Sequence, residues 1–301
     1  MKKIICIGEC ALDIIFSGSR PVGSMPGGRI VNAAAMLARQ GLPVYLASEL
    51  SADPVGDIIA NFLSQAGVDC TSVDRFTEGR TPVIIYSVAG SGIVSVTRYE
   101  SYPEECFDII WPRIDPGDIV IFGGFYAIDS RMRPRMSQLL AHASERKAVI
   151  VYLPGFLPQQ EPRITRVMPA ILENLEYAHA VIVRDNDLST IFGVSAGDSC
   201  YHDHINFYCR SLINIDISCH RINYYSGDEV TSADIPADVC ASMMWNAGAV
   251  AGVAKALFAE ETAIDRLEAP DEDFRRRVIS MVAATAAEAA SSLTEDWQKA
   301  H

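Results

Sequence analysis

The stretch PGGRIVNAAAMLARQG (residues 26–41) places two glycines directly before an alanine-rich apolar segment with the spacing of a helix. Glycines at such a point let the backbone approach a ligand closely, because no Cβ atom stands in the way. A flexible turn ahead of a helix is the simpler interpretation of the same residues. The stretch predicts a helix that begins near Asn32, with Gly27 and Gly28 before it as candidate binding residues.

An acidic residue lies upstream, in the apolar stretch IGECALDIIF (residues 7–16). This composition predicts a β-strand, and a carboxylate among apolar neighbours needs a partner or a polar ligand unless it faces water at a sheet edge. Asp13 is therefore a candidate site residue. Downstream, SADPVGDIIANFLSQAGVD (residues 51–69) carries Asp53 and Asp57 near a helix start, where capping explains them.

Strand-like and helix-like segments alternate along most of the chain. Runs such as AVIVYLP (residues 148–154) are apolar throughout, as in a parallel sheet that is buried on both faces. The alternation predicts an α/β fold with a mostly parallel central sheet flanked by helices. One segment differs, because two alternating runs in residues 80–99 flank Gly90-Ser91-Gly92 and predict a small antiparallel flap. Nothing marks a linker, so a single domain over residues 1–301 is expected.

Composition excludes several classes of function. The 301 residues are 49% hydrophobic and 21% charged, as in an ordinary globular protein. Basic residues number 25 against 38 acidic ones, a formal net charge of −13, so nucleic acid is an unsuitable partner. The first apolar run is too short to span a membrane. Eight cysteines without a CxxC pair predict reduced thiols and a cytoplasmic location, and no metal site is expected.

The order and spacing of these stretches resemble the PfkB/ribokinase family of carbohydrate kinases. That family shows a strand with an acid, then GGxxxNxAxxxARLG, then a segment of the type GxDxxGxxxxxxLxxxGVD, then a flap and an alternating sheet. The likeness is strong in the N-terminal third and rests mainly on the alternation of elements afterwards. It implies a Rossmann-like ribokinase fold with a small β-sheet lid, built from segments near 12–30 and 80–99, through which a homodimer is expected.

The resemblance also implies a function. It indicates phosphorylation of a hydroxyl group on a small-molecule sugar or polyol, with ATP and Mg²⁺ as cofactors. The residues that it assigns to sugar binding are Asp13, Gly27, Gly28 and Asn32. On the nucleotide side, the stretch VRDNDLSTIFG (residues 183–193) retains only Asn186 and Asp187 of the family pattern.

The catalytic motif of the family is altered in this sequence. Its last long helix opens as DTTGAGDxF, where backbone N–H groups hold the phosphate and the final Asp takes the hydroxyl proton. The corresponding stretch, ADVCASMMWNAGAVAGVAKAL (residues 237–257), reads as one long buried helix. Aligning Asp238 with the first Asp of the motif places Met244 at the base position, and a thioether accepts no proton at neutral pH. The side chains of Ala241, Ser242 and Met243 would then crowd the phosphate.

A second alignment sets residues 232–238 against the motif and keeps Asp238 as the base. It loses both glycines and places Pro236, which has no N–H, in the phosphate loop. We favour the first alignment, which predicts a carbohydrate kinase-like protein with impaired catalysis because Met244 replaces the base. The alternative is a non-catalytic pseudokinase that binds a sugar or another metabolite.

Overall fold

The computed structural model describes residues 2–89, 92–103, 109–158, 160–242 and 244–299. The predicted tip of the flap, Gly90-Ser91, and Met243 of the predicted phosphate loop lie outside these residues. The described strands, in chain order, are β1 (Ile4–Ile7), β2 (Ala11–Ser17), β3 (Arg20–Gly27), β4 (Val44–Ser51), β5 (Asp69–Phe76), β6 (Arg80–Ala89), β7 (Gly92–Ser101), β8 (Ile119–Gly123), β9 (Val149–Leu153), β10 (Ala180–Arg184), β11 (Ser211–Asp216), β12 (Arg221–Ser226) and β13 (Glu229–Asp234).

The helices flank these strands. They are α1 (Arg29–Arg39), α2 (Pro54–Ala66), α3 (Arg133–Glu145), α4 (Ile164–Tyr177), α5 (Asp185–Phe192), α6 (Gly197–Cys200), α7 (Ala237–Ala241), α8 (Trp245–Phe258), α9 (Ala263–Glu268) and α10 (Glu272–Lys299). A 3₁₀ turn covers Phe125–Ala127 and a π turn covers Tyr201–Ile205. Within the described residues, no helix is both long and apolar enough to cross a membrane.

The large sheet has the strand order β13-β12-β11-β10-β9-β8-β1-β4-β5. All neighbours from β11 to β5 pair in parallel, and β12 and β13 add an antiparallel edge. This arrangement confirms the predicted α/β class. Because the strands are parallel, their carboxyl ends lie along one edge of the sheet, which is where ligands bind in open α/β folds.

Strand β1 shows why helices must cover both faces of the sheet. Its four residues are all fully buried, and successive side chains point to opposite faces. Ile4 and Cys6 pack in a core formed with α1, α2, α8 and α10, whereas Ile5 and Ile7 pack in a second core with α3, α4 and α5. The continuous apolar runs seen in the sequence are the direct consequence of this two-sided burial.

A second sheet of four strands has the order β3-β2-β6-β7. Strands β2 and β6 pair in parallel at its centre, and β3 and β7 pair with them in antiparallel fashion. Its strands span residues 11–27 and 80–101, the same two parts of the chain from which the lid was expected. We refer to these four strands as the lid.

Two helix starts can be compared with the sequence expectations. Helix α1 begins at Arg29, ahead of the predicted start near Asn32, because Gly28 with φ of 109° provides the break in the backbone directly before it. Helix α2 begins as expected after Asp53, whose Oδ1 accepts a hydrogen bond of 2.7 Å from the backbone N–H of Gly56.

The stretch 237–257 is not one helix, which corrects the interpretation made from its apolar composition. It forms the short helix α7, a break at Ser242, and the buried helix α8 from Trp245 onward. Helix α8 packs closely on α10 through two glycines. A Cβ atom at Gly248 would lie 2.7 Å from the Cα of Ala286, and one at Gly252 would lie 2.6 Å from the Cα of Val282.

We expect the substitution Gly252→Ala to destabilise the fold. Alanine favours helix by about 1 kcal/mol over glycine, but a Cβ atom so near the backbone of α10 forces the two helices apart, which typically costs 1–3 kcal/mol or more. Urea unfolding followed by circular dichroism measures the change. Asn61→Ala, at an exposed position of α2, is the control and should leave stability unchanged or raise it slightly. A Gly252→Ala protein as stable as the wild type would contradict the close packing.

Candidate functional site

A cleft of about 910 Å³ lies at the carboxyl ends of the parallel strands. Residues at or just after the ends of β1, β8, β9 and β10 line it, together with lid residues of β2, β3, β6 and β7. The start of α1 and the segment from α7 to the start of α8 complete the lining. The cleft therefore lies where an open parallel sheet is expected to hold a ligand.

Three of the four residues predicted to bind sugar line this cleft: Asp13, Gly28 and Asn32. The fourth, Gly27, pairs across the lid with Ala11 and lies against the Asp13 side chain. A Cβ atom at Gly27 would overlap the Asp13 carboxylate, and one at Gly28 would lie 2.5 Å from the backbone oxygen of Glu9. The two glycines thus have a steric role, because they leave the space that the carboxylate and the neighbouring loop occupy.

Asp13 is a buried carboxylate with unused hydrogen-bonding capacity. The residue is 7% exposed, and its Oδ1 has no hydrogen-bond partner among the described residues. Burial raises the pKa of Asp13 to about 7, the charge of Glu9 raises it as well, and Arg98 opposes both effects. An acceptor of this kind, buried and unpaired at the wall of a cleft, suits a ligand whose hydroxyl groups donate hydrogen bonds.

Sequence reasoning missed two charged residues beside Asp13. Glu9, in the loop after β1, lines the cleft, and burial raises the pKa of its carboxyl. Arg98, on the lid strand β7, places Nη2 at 3.5 Å from Glu9 Oε2 and also pairs with Glu100. The only sequence signal was a charged residue within each of two otherwise apolar or alternating stretches, and no local pattern indicates that the two meet.

The predicted nucleotide residues are placed differently from each other. Asn186 lines the cleft, whereas the carboxylate of Asp187 is held by two arginines. Arg184 donates from Nε and Nη2 to the two oxygens of Asp187, each at 2.7 Å, and Arg29 donates from Nη1 at 2.8 Å. These two positive charges hold the pKa of Asp187 well below its usual range despite burial. Nucleotide binding by Asp187 stays a prediction, since its oxygens are already engaged.

Both candidates for the base position line the same cleft. Asp238 is exposed in the first turn of α7, and Met244 directly precedes α8. The backbone N–H of Met244 donates to Ser242 Oγ at 3.3 Å. Trp245 and Asn246, at the start of α8, also line the cleft, and no side chain caps this helix. The start of α8 therefore offers backbone N–H groups that can hold an anionic group.

The described residues show no comparable arrangement for metal binding. Within the described ranges, no group of three or more His, Cys, Asp and Glu side chains is placed to hold a metal ion.

Several solved structures share this fold. Aminoimidazole riboside kinase from Salmonella enterica, complexed with aminoimidazole riboside and an ATP analogue, has a TM-score of 0.77 at 16% identity, over 95% of this chain and 92% of that chain. Fructokinase from Vibrio cholerae O395, bound to fructose, ADP and calcium ion, has a TM-score of 0.78 at 15% identity, over 95% and 92%. Fructokinase from Xylella fastidiosa with bound ATP has a TM-score of 0.71 at 16% identity, over 100% of both chains. A comparison with curated protein sequences finds no significant match.

The family follows from the sequence profile described as pfkB family carbohydrate kinase, which matches residues 1–202, more than half of the chain. The chain belongs to the PfkB family of carbohydrate kinases. In this PfkB-family chain the matched residues include Asp13, Asn32 and Asn186, whereas Asp238 and Met244 lie beyond them. The family predicted from the glycine and acid stretches is confirmed, and residues 237–257, for which an altered catalytic motif is predicted, lie outside the matched part.

The raised pKa of Asp13 predicts how stability depends on pH. Between about pH 4 and pH 7 the folded state keeps the proton on Asp13 and the unfolded state releases it, so the free energy of unfolding falls as pH rises through this window. The loss is about 1.4 kcal/mol for each unit by which the pKa is raised. Asp13→Asn removes this contribution.

The measurement is urea unfolding of the wild type and of Asp13→Asn at several pH values from 4 to 8. We expect the stability of the wild type relative to the variant to decline from pH 4 to pH 7 and then to stay level. Titrating groups that do not interact with Asp13 cancel in the difference, whereas Glu9, which interacts with it, contributes as well. A difference that does not change with pH would show that Asp13 has an ordinary pKa.

Proposed function

We propose that this PfkB-family protein binds a sugar or a related polyol in the lid-covered half of the cleft and transfers a phosphoryl group from ATP to it only slowly. The observation that carries the proposal is Asp13, a buried carboxylate with an unpartnered oxygen, held beside Gly27 in a cleft under the lid. Adjacent hydroxyl groups of a polyol donate to such an oxygen, and Asn32 adds an amide that both donates and accepts.

ATP, bound with Mg²⁺, supplies the phosphoryl group in this proposal. Asn186 and the start of α8 would contact its phosphates, since both line the cleft and α8 presents uncapped N–H groups there. The fructokinase neighbours bound to ADP or ATP support nucleotide use. Catalysis is weak because Met244 offers no proton acceptor at the start of α8, and because Ser242 Oγ already engages the Met244 N–H.

A second candidate function is an ordinary, divergent sugar kinase with Asp238 as the general base. The exposed carboxylate of Asp238 lines the same cleft. It can therefore accept the proton of a sugar hydroxyl group that binds there. The two candidates differ in one measurable property, the effect of removing this carboxylate on turnover.

Turnover separates the two candidates. We expect ADP release with a panel of pentoses, hexoses and nucleosides to be absent or very slow, because loss of a general base typically costs about 10²–10⁴-fold. Asp238→Asn should leave this low rate unchanged. Met244→Asp alone should restore little, whereas Met244→Asp combined with Ser242→Gly, which also frees the backbone N–H, should restore more. Robust wild-type turnover that Asp238→Asn abolishes would establish the second candidate instead.

Sugar binding is measured independently of turnover, by calorimetric titration with the same panel in the presence and absence of ATP and Mg²⁺. Asp13→Asn should weaken the binding of the best sugar by about 10–100-fold, the effect of losing a hydrogen bond to a charged group. Asp57→Asn is the matched control, because Asp57 is 66% exposed and pairs with Arg75 away from the cleft lining. If no sugar binds, or if Asp13→Asn binds as well as the wild type, the proposal is wrong.

We also propose that the lid joins two copies of the chain. Strand β7 is an edge strand of the lid, and it carries two exposed apolar side chains, Val94 at 66% and Tyr99 at 60%. An unpaired edge with exposed apolar residues favours association with a second copy.

Light scattering should show that the wild type is a dimer and that the variant Val94→Glu is a monomer. Val230→Glu, at a 54% exposed site on the edge strand β13 of the large sheet, should leave the dimer intact. A monomeric wild type at micromolar concentrations would contradict this expectation.

A further inference from the structure

Three arginines line the cleft: Arg29, Arg98 and Arg184. They come from separate elements, since Arg29 begins α1, Arg98 lies on the lid strand β7 and Arg184 ends β10. Their guanidinium groups are largely removed from water, with side-chain exposures of 25%, 5% and 26%. Burying cations costs free energy unless anions compensate them, and a neutral polyol supplies no charge.

Tyr86, on the lid strand β6, interacts electrostatically with these arginines. This lid residue lines the cleft, and burial raises the pKa of its hydroxyl. The charge of Asp13 raises this pKa further, whereas the three arginines lower it. Tyr86, Asp13 and the three arginines line the same cleft, so a ligand under the lid meets the carboxylate and the guanidinium groups together.

The arginines are compensated unequally. Arg98 has two carboxylates close by, those of Glu9 and Glu100. Arg29 and Arg184 share a single carboxylate, that of Asp187. In the part of the chain that the structure describes, no other carboxylate lies within ion-pair distance of either guanidinium, although Glu9 and Asp185 act on them from farther away.

Arg29 and Arg184 have hydrogen-bond donors that the protein does not use and that a ligand can bind. Asp187 takes Nε and Nη2 of Arg184 and Nη1 of Arg29, which leaves Nη1 of Arg184 and both Nε and Nη2 of Arg29 without an acceptor among the described residues. Gly155 leaves room for Arg29, since a Cβ atom at Gly155 would overlap the Arg29 guanidinium.

The start of helix α1 also favours the binding of an anion. Arg29 is its first residue, no side chain caps the helix, and its first turn has no acid. The helix dipole disfavours a cation at this end and favours an anion. Two arginines, their unused donors and this helix start thus converge on one region of the cleft wall.

We propose that the ligand under the lid is a sugar acid, whose carboxylate binds the unused N–H groups of Arg29 and Arg184 while its hydroxyl groups bind Asp13 and Asn32. This inference rests on the proposed function, because it takes the lid-covered half of the cleft as the sugar site. A carboxylate fits better than a phosphate, since the pair carries one positive charge in excess of Asp187. A phosphate group at neutral pH carries between one and a half and two negative charges, with Glu9 and Asp185 also nearby.

The test is calorimetric titration of the full chain at pH 7.5 with sugar acids and their neutral counterparts, such as gluconate with glucitol and glucuronate with glucose. Fructose 6-phosphate and ATP with Mg²⁺ are separate arms, because they carry phosphate instead of carboxylate. We expect the tightest ligand to be an acid that binds about tenfold or more tightly than its neutral counterpart, the effect of about one charge-assisted hydrogen bond.

Variants connect this preference to the arginines. Arg29→Gln should reduce the preference to less than about threefold and leave the neutral counterpart unaffected, because it removes donors to the carboxylate alone. Asp187 stays paired with Arg184 in this variant, so the fold is retained. Arg184→Gln should have the same effect on the preference, once circular dichroism has shown that this variant is folded. Arg113→Gln, at a side chain that is 81% exposed and outside the cleft lining, is the control for loss of one positive charge and should keep the full preference.

The outcomes distinguish the sugar-acid inference from the proposed function on which it rests. If sugars bind but no acid binds more tightly than its neutral counterpart, the sugar-acid inference is wrong and the sugar site stands. The same holds if the preference persists in Arg29→Gln, or if Arg29→Gln weakens only the phosphate-bearing ligands. If neither acids nor neutral sugars bind, the proposed function itself is wrong, and this inference falls with it.

Discussion

Two-sided burial of the parallel sheet is the constraint on which the rest of this structure depends. Residues Ile4–Ile7 are fully buried, so helices must cover both faces of the sheet, and helices connect most of its consecutive parallel strands. The carboxyl ends of β1, β8, β9 and β10 consequently lie along one edge. The loops that leave these ends form one wall of the cleft. The lid then places a second wall opposite them, with Asp13 on its central strand β2.

Limited access to water shifts the pKa values of the acidic residues in the cleft. Asp13 and Glu9 are acids whose pKa values burial raises, and their hydrogen-bonding capacity is incompletely used by the protein. Asp187 is the opposite case, an acid whose pKa is lowered by the arginines that hold it. Buried polar groups without a hydrogen-bond partner are rare in folded proteins, and those that line a cleft can be completed by a ligand. The incompletely paired groups, Asp13 and Glu9, mark the proposed sugar site, whereas Asp187 pairs with Arg29 and Arg184 and orients them.

The part of the site that local sequence could predict is the part built from adjacent residues. Gly27, Gly28 and Asn32 lie within six residues of one another, and a glycine pair before a helix has a recognisable consequence for the backbone. The apolar stretch 237–257 was harder, because composition alone does not distinguish one helix from two. The break at Ser242 is visible only in the structure, where α8 starts at Trp245 against the backbone of α10.

The sequence by itself determined the alternation of strands and helices, the lid segments, the family, and the glycine and acid stretches, because each depends on periodicity or on residues close together in the chain. Only the tertiary structure decided that Arg29, Arg98 and Arg184 line one cleft with Glu9 and Asp13. These residues come from five elements or loops, and their meeting depends on strand order and on the placement of the lid over the sheet. Burial and pairing, which decide the charge each group carries, arise from that long-range packing and have no signature in any single stretch of sequence.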